Sequence, residues 1–150
     1  MKSMKPIIWT LLAVSLLGSI VLLARTKSTP NSDENQTKNE GKLVVLWTSG
    51  DRDLAIKMAF MYTYNAKKNG WWDDILLIIW GPSSKLLSTD QELQDYVKKM
   101  MDEGVIIKAC KACADMYGVS QKIEDLGIEV KYMGVDLTEY MKAGRHILTL

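Results

Sequence analysis

Apolar and polar positions divide this chain into three stretches of different character. Residues Pro6 to Ala24 form an almost uninterrupted apolar run with no charge, about the length a bilayer-spanning helix needs. Residues 26–41 are polar, with Pro, Ser, Asn, Lys and Glu throughout, and bury no core; they read as a flexible linker. From Lys42 to Leu150 short apolar runs alternate with amphipathic stretches, the signature of strands alternating with helices. The organisation is an N-terminal segment over 1–25, a linker over 26–41 and one folded domain over 42–150.

Within the domain, Lys42 to Thr48 reads as a buried strand, and Ser49-Gly50-Asp51 as a turn and helix start. Leu54, Met58, Met61 and Tyr62 repeat at helical spacing up to Asn69-Gly70, a helix stop. Asp74 to Trp80 is apolar almost throughout, and such a strand needs cover on both faces, which points to a parallel sheet. Gly81-Pro82-Ser83-Ser84 reads as a loop, with a short turn at Leu86 and Leu87. Ser88 or Thr89 is the expected cap of a helix carrying Leu93, Tyr96, Val97 and Met100 on one face. A third strand is expected over Val105 to Ala109 and a short helix over Cys110 to Tyr117. Ser120 should cap the next helix. Ile128 to Met133 reads as a strand, Leu137 to Ala143 as a helix, and His146 to Leu150 as a fifth strand. The expectation is α/β: a five-stranded, mainly parallel sheet with helices on both faces.

Ligands of open α/β sheets sit beyond the carboxyl ends of the strands. Four predicted loops share that edge: Thr48–Asp53, Trp80–Lys85, Cys110–Cys113 and Gly134–Asp136.

Charge narrows the partners. The chain of 150 residues carries a formal net charge of +1. Residues 42–150 hold 14 Lys/Arg and 15 Asp/Glu, a net charge of −1, so no direct nucleic-acid binding is expected. Lys2 and Lys5 precede the apolar run and Arg25 and Lys27 follow it, a weak orientation bias. The run is longer than a usual signal h-region and no convincing small-x-small site follows, which favours an uncleaved anchor over residues 7–24. The domain is then expected on the extracytoplasmic side of a membrane, or secreted if the segment is a cleaved signal.

The two cysteines, Cys110 and Cys113, are three apart where the third strand gives way to a helix. Backbone N–H groups at a helix start favour thiolate, the reactive form, and Lys108 and Lys111 push the same way. The alternative is a buried pair of small apolar side chains or a short structural disulfide. Thioredoxin chemistry fits poorly: Pro6, Pro30 and Pro82 all precede the cysteines, so no later proline faces the dithiol. Two cysteines and the single His146 do not make a four-ligand zinc site in one chain, so no metal is expected. Covalent haem needs a histidine where Ala114 stands, and Thr48-Ser49-Gly50-Asp51 lacks the lysine of a phosphate loop; no cofactor is expected. Trp80-Gly81-Pro82-Ser83 is either a tight turn or a pocket wall. Trp71-Trp72 is either packing at the lower sheet edge or a subunit or membrane contact.

The stretch Gly104 to Val119, with Cys110-Lys111-Ala112-Cys113 at its centre, resembles the cysteine segment of the DsrE/DsrF-like superfamily. The Leu46-Trp47-Thr48-Ser49-Gly50-Asp51 loop, Ile78-Ile79-Trp80-Gly81-Pro82-Ser83 and Lys131-Tyr132-Met133-Gly134-Val135 support it. The resemblance implies a flavodoxin- or Rossmann-like domain that forms homo-oligomers, trimers or larger. It implies a sulfurtransferase-like sulfur carrier. Cys110 matches the acceptor that holds sulfane sulfur as a persulfide, and Cys113 the second cysteine that some members carry. Lys111, Ser49, Gly50, Asp51, Trp80, Gly81, Pro82, Ser83 and Gly134 are the supporting positions. The partners implied are sulfur donor and acceptor proteins or small thiols. Two other readings stay open: an oligomeric small-ligand-binding module, and a thiol–disulfide oxidoreductase using both cysteines.

Overall fold

The computed structural model describes residues 41–150. The expected anchor and nearly all of the linker lie outside the described residues. Among those described, no helix is long and apolar enough to cross a membrane.

Five strands form one sheet: β1 (Lys42–Trp47), β2 (Asp74–Ile79), β3 (Ile106–Cys110), β4 (Glu129–Lys131) and β5 (His146–Thr149). All pairings are parallel and the order is β4-β3-β2-β1-β5. Parallel neighbours require crossovers, and helices supply them. The first, α1, spans 52–68 and consists of Arg52–Leu54, a π-helical stretch Ala55–Phe60 and Met61–Lys68. The others are α2 (Pro82–Leu87), α3 (Gln91–Asp102), α4 (Lys111–Met116), α5 (Ser120–Glu124) and α6 (Gly134–Lys142).

Strand alternation sends side chains to two unequal faces. Leu43, Val45, Trp47, Ile75, Leu77, Ile79, Ile107 and Ala109 face the larger core, with Phe60, Leu93, Val97, Met100 and Ile123 from α1, α3 and α5. Trp47 and Phe60 meet edge to face with centroids 4.8 Å apart, and Phe60 meets Tyr96 at 5.4 Å. The opposite face carries Val44, Leu76, Ile78, Cys110 and Met133, covered by Leu137 and Tyr140 of α6. Cys110 therefore belongs to the thinner of the two layers.

Several local expectations shift. Asp90, rather than Ser88 or Thr89, caps α3, accepting from Leu93 N–H at 3.1 Å. The Ser88 and Thr89 hydroxyls turn back to the Lys85 and Leu86 carbonyls and close α2 instead. The segment expected as a loop after Gly81 becomes α2, because Pro82 stands at the helix start where its missing N–H costs nothing. Ser120 opens α5 but does not cap it; its hydroxyl goes to Asp115. Gly134 and Asp136, expected in a loop, lie in the first turn of α6. Cys110 ends β3 rather than starting a helix.

Candidate functional site

Cys110 and Cys113 sit on either side of the start of α4: Cys110 is the last residue of β3, and Cys113 the third of the helix. Both are free thiols. Cys110 is 3% exposed, packed with Ile78 and Met133, whereas Cys113 is half-buried. Their side chains are in hydrogen-bonding contact. The Gly81 backbone N–H, from the loop after β2, donates to the Cys113 sulfur. Burial pushes the Cys113 thiol up, the Gly81 amide pulls it down, and the contact with Cys110 pushes it up again. The last effect has a simple cause: adjacent sulfurs resist both being charged.

Gly81 reaches the cysteine because of its backbone. It has φ 71° and ψ −136°, a conformation that glycine alone adopts cheaply. The loop is held on both sides of it. Trp80 N–H donates to the Trp47 carbonyl at 2.9 Å and to the Ser83 hydroxyl oxygen at 3.0 Å. The buried Ser83 hydroxyl in turn donates to the Trp47 carbonyl at 2.7 Å. Trp80 packs at the edge of the cluster that contains both cysteines. Pro82 opens α2 and is the nearest neighbour of the space a Gly50 side chain would occupy, 3.3 Å from its Cβ. Gly50 thus lets the loop after β1 lie against the loop after β2.

The remaining positions point elsewhere. Asp51 caps α1 by accepting from Leu54 N–H at 3.0 Å, and its own N–H donates to the Ser49 hydroxyl at 3.0 Å. Thr48 and Ser49 donate through their amides to the Leu150 carbonyl, tying this loop toward β5. Lys111 is partly exposed, its ammonium 3.2 Å from Asp115, which holds it charged above the usual lysine range. Lys108 pairs with Glu129 at 2.8 Å. A side chain at Gly134 would meet open space. Of the candidate residues, the fold gathers Cys110, Cys113, Trp80 and Gly81, with Ser83 and Pro82 shaping the loop.

Sequence reasoning missed Tyr140 and gave no site role to Met133 or Lys131: Met133 and Tyr140 share the layer with Cys110, and Lys131 is its cross-strand neighbour in register. Lys131 is paired with Asp136 at 2.8 Å. The motif Lys131 to Val135 marks two of them as family-like, but not their place beside Cys110, since each reaches the site from a later segment. Tyr132, after β4, and Val135, in the first turn of α6, stand exposed. Among the described residues, no group of His, Cys, Asp and Glu is placed to hold a metal ion.

Comparison with known proteins bears on this arrangement. The model of the DsrE/DsrF-like family matches residues 41–150. A solved structure of a conserved protein of unknown function from Bacteroides thetaiotaomicron, BT1422, is 43% identical, with a TM-score of 0.71 over 73% of this chain and 95% of that one. The ychN protein from E. coli is 15% identical, with a TM-score of 0.58 over 73% of this chain and 98% of that one, and shows likeness of fold. No curated protein matches the chain. With its parallel five-stranded sheet and a family match over the whole described domain, the chain belongs to the DsrE/DsrF-like family, which is associated with sulfur relay.

Proposed function

We propose that this protein is a membrane-tethered sulfur carrier that accepts sulfane sulfur as a persulfide, holds it on Cys110 and passes it to a partner thiol. The observation that carries the reading is the contact between two free thiols at the carboxyl edge of a parallel sheet in a domain of this family. A thiolate there attacks the outer sulfur of a donor persulfide, and an acceptor thiolate later removes it. The buried layer around Cys110 suits storage, because it keeps water and stray thiols from the outer sulfur. The apolar run over residues 7–24 supports the tether, with the domain outside the cytoplasm. Partners are donor and acceptor proteins or small thiols, and a further copy of the chain in a homo-oligomer of three or more. The exposed Met58, Met61 and Trp71 beside the edge strand β5 favour such an assembly.

The contact between the sulfurs also supports a second reading, in which Cys110 and Cys113 cycle between dithiol and disulfide. One experiment separates the two. Reduced full-length protein is exposed to polysulfide, then to an excess of small thiol, and its intact mass is followed. The carrier gains one sulfur, about 32 Da, and returns it to the thiol. Loss of two hydrogens with sulfide release, and no adduct, replaces the carrier with the disulfide chemistry.

A further inference from the structure

The two cysteines are not equivalent toward solvent, and the difference bears on how sulfur arrives. Cys110 is 3% exposed and shares a buried layer with Met133, against which Leu137 and Tyr140 of α6 pack. Cys113 is half-buried and packs at the rim of that layer, as Trp80 does. Its sulfur touches Cys110 on one side and accepts the Gly81 N–H on the other. A donor approaching the carboxyl edge meets Cys113 before Cys110.

We propose that Cys113 is the entry thiol, which takes sulfur from the donor and hands it inward to Cys110. The inference rests on the carrier reading above and adds the order of the steps. In the first step the Cys113 thiolate attacks the outer sulfur of a donor R–S–SH. A bond forms between Cys113 Sγ and that sulfur, and the bond to R–S breaks with its electron pair, releasing R–S⁻. In the second step the Cys110 thiolate attacks the outer sulfur of the Cys113 persulfide. The new bond is to Cys110 Sγ, and Cys113 Sγ leaves as thiolate. Each step consumes one thiolate and releases one, and no oxidant or reductant is spent.

Gly81 acts in the first step. Its N–H is aimed at the sulfur that is charged before attack and again when sulfur passes on, so one fixed backbone donor serves both moments. That use explains why the loop holds a glycine-only conformation here, fastened by Trp80 and Ser83 to the end of β1. Burial and the neighbouring Cys110 leave the Cys113 thiol above its ordinary range, and this amide is the group that works against them. The neighbouring ammonium groups are committed: Lys111 to Asp115, Lys108 to Glu129 and Lys131 to Asp136.

The test uses reduced full-length protein, glutathione persulfide as donor, quenching by iodoacetamide and digestion with trypsin. Cleavage after Lys108, Lys111 and Lys122 puts Cys110 and Cys113 on separate peptides. In wild type, sulfur is expected first on the Cys113 peptide and then on the Cys110 peptide. Cys110→Ser should trap the adduct on Cys113. Cys113→Ser should load Cys110 about tenfold more slowly or worse, because the remaining thiol is shielded. Loading of Cys110 at the wild-type rate in Cys113→Ser, or appearance on Cys110 first in wild type, overturns the entry role. The wild-type time course decides the matter even if a variant fails to fold. Absence of sulfur from both wild-type peptides overturns the carrier reading itself. Disulfide formation in wild type, with sulfur still trapped on Cys113 in Cys110→Ser, supports entry at Cys113 and overturns storage on Cys110.

Discussion

The Ser83 hydroxyl donates to the Trp47 carbonyl across 2.7 Å, joining the first turn of α2 to the last residue of β1. The same oxygen accepts Trp80 N–H at 3.0 Å, so one buried side chain fixes both ends of the loop that carries Gly81. Ser83→Ala removes both bonds and leaves Trp80 N–H with the Trp47 carbonyl alone. The expected loss is about 1–2 kcal/mol, read from the urea midpoint. An unchanged midpoint would show that the hydroxyl contributes nothing to the loop.

Gly81→Ala tests the backbone directly. A side chain there meets little, the nearest atom being the Thr48 carbonyl at 3.9 Å, so crowding is not the obstacle. The obstacle is φ 71° with ψ −136°. Alanine should cost about 1 kcal/mol or more and turn the amide away from Cys113. Iodoacetamide labelling of Cys113 at fixed pH should slow, because its sulfur loses a donor. Labelling at the wild-type rate with reduced stability would confine Gly81 to a structural part.

Met133→Ala probes the thin layer over Cys110. Met133 is fully buried in that layer, and truncation should cost about 2–5 kcal/mol. The vacated space lies beside Cys110, so alkylation of Cys110 should accelerate. Equal alkylation in both proteins would mean that Met133 does not shield the thiol.

Asp90 supplies a pH-dependent contribution. Its carboxylate accepts the Leu93 N–H at the start of α3 and also pairs with Arg52 at 2.7 Å, which together hold its pKa below the ordinary value. A lowered carboxyl pKa adds stability above the unfolded value of about 3.9. That stability is lost as pH falls from there through the folded value. Asp90→Ala should cost about 1 kcal/mol at neutral pH. Asp90→Asn keeps a good cap and lacks the charge, so its stability should fall less as pH drops below the unfolded carboxyl value than that of wild type. Parallel acid curves for the two proteins would count against this assignment.

Much of the fold was legible because it follows from local pattern. Asp74 to Ile79 is apolar at nearly every position, and only a strand covered on both faces uses such a run, so a parallel sheet was implied. The helix stop at Gly70 coincides with positive φ, and the glycines that follow the later helices, Gly104, Gly118, Gly127 and Gly144, share it. Boundaries were less legible where hydroxyls compete. Ser88, Thr89 and Asp90 are all capping residues, and only the arrival of Arg52 beside Asp90 and the closure of α2 separate their roles. Within the candidate site, the spacing of Cys110 and Cys113 marked sulfur chemistry, yet Lys111 and Lys108 look like activating charges until their carboxylate partners are seen.

The sequence by itself determined the alternation of elements, the parallel sheet, the placing of both cysteines at its carboxyl edge and the family to which the domain belongs. These rest on periodicity and on motifs a few residues long, which physical chemistry reads without knowing what lies across the sheet. Only the tertiary structure decided that Cys110 is buried while Cys113 stands at the rim. It alone showed that the Gly81 amide is the backbone donor to the Cys113 sulfur, and that Leu137 and Tyr140 of α6 pack on the layer that holds Cys110. Those facts depend on which segment of the chain crosses over which strand, and contacts between β2, β3 and α6 are set by packing of residues tens of positions apart rather than by any local preference.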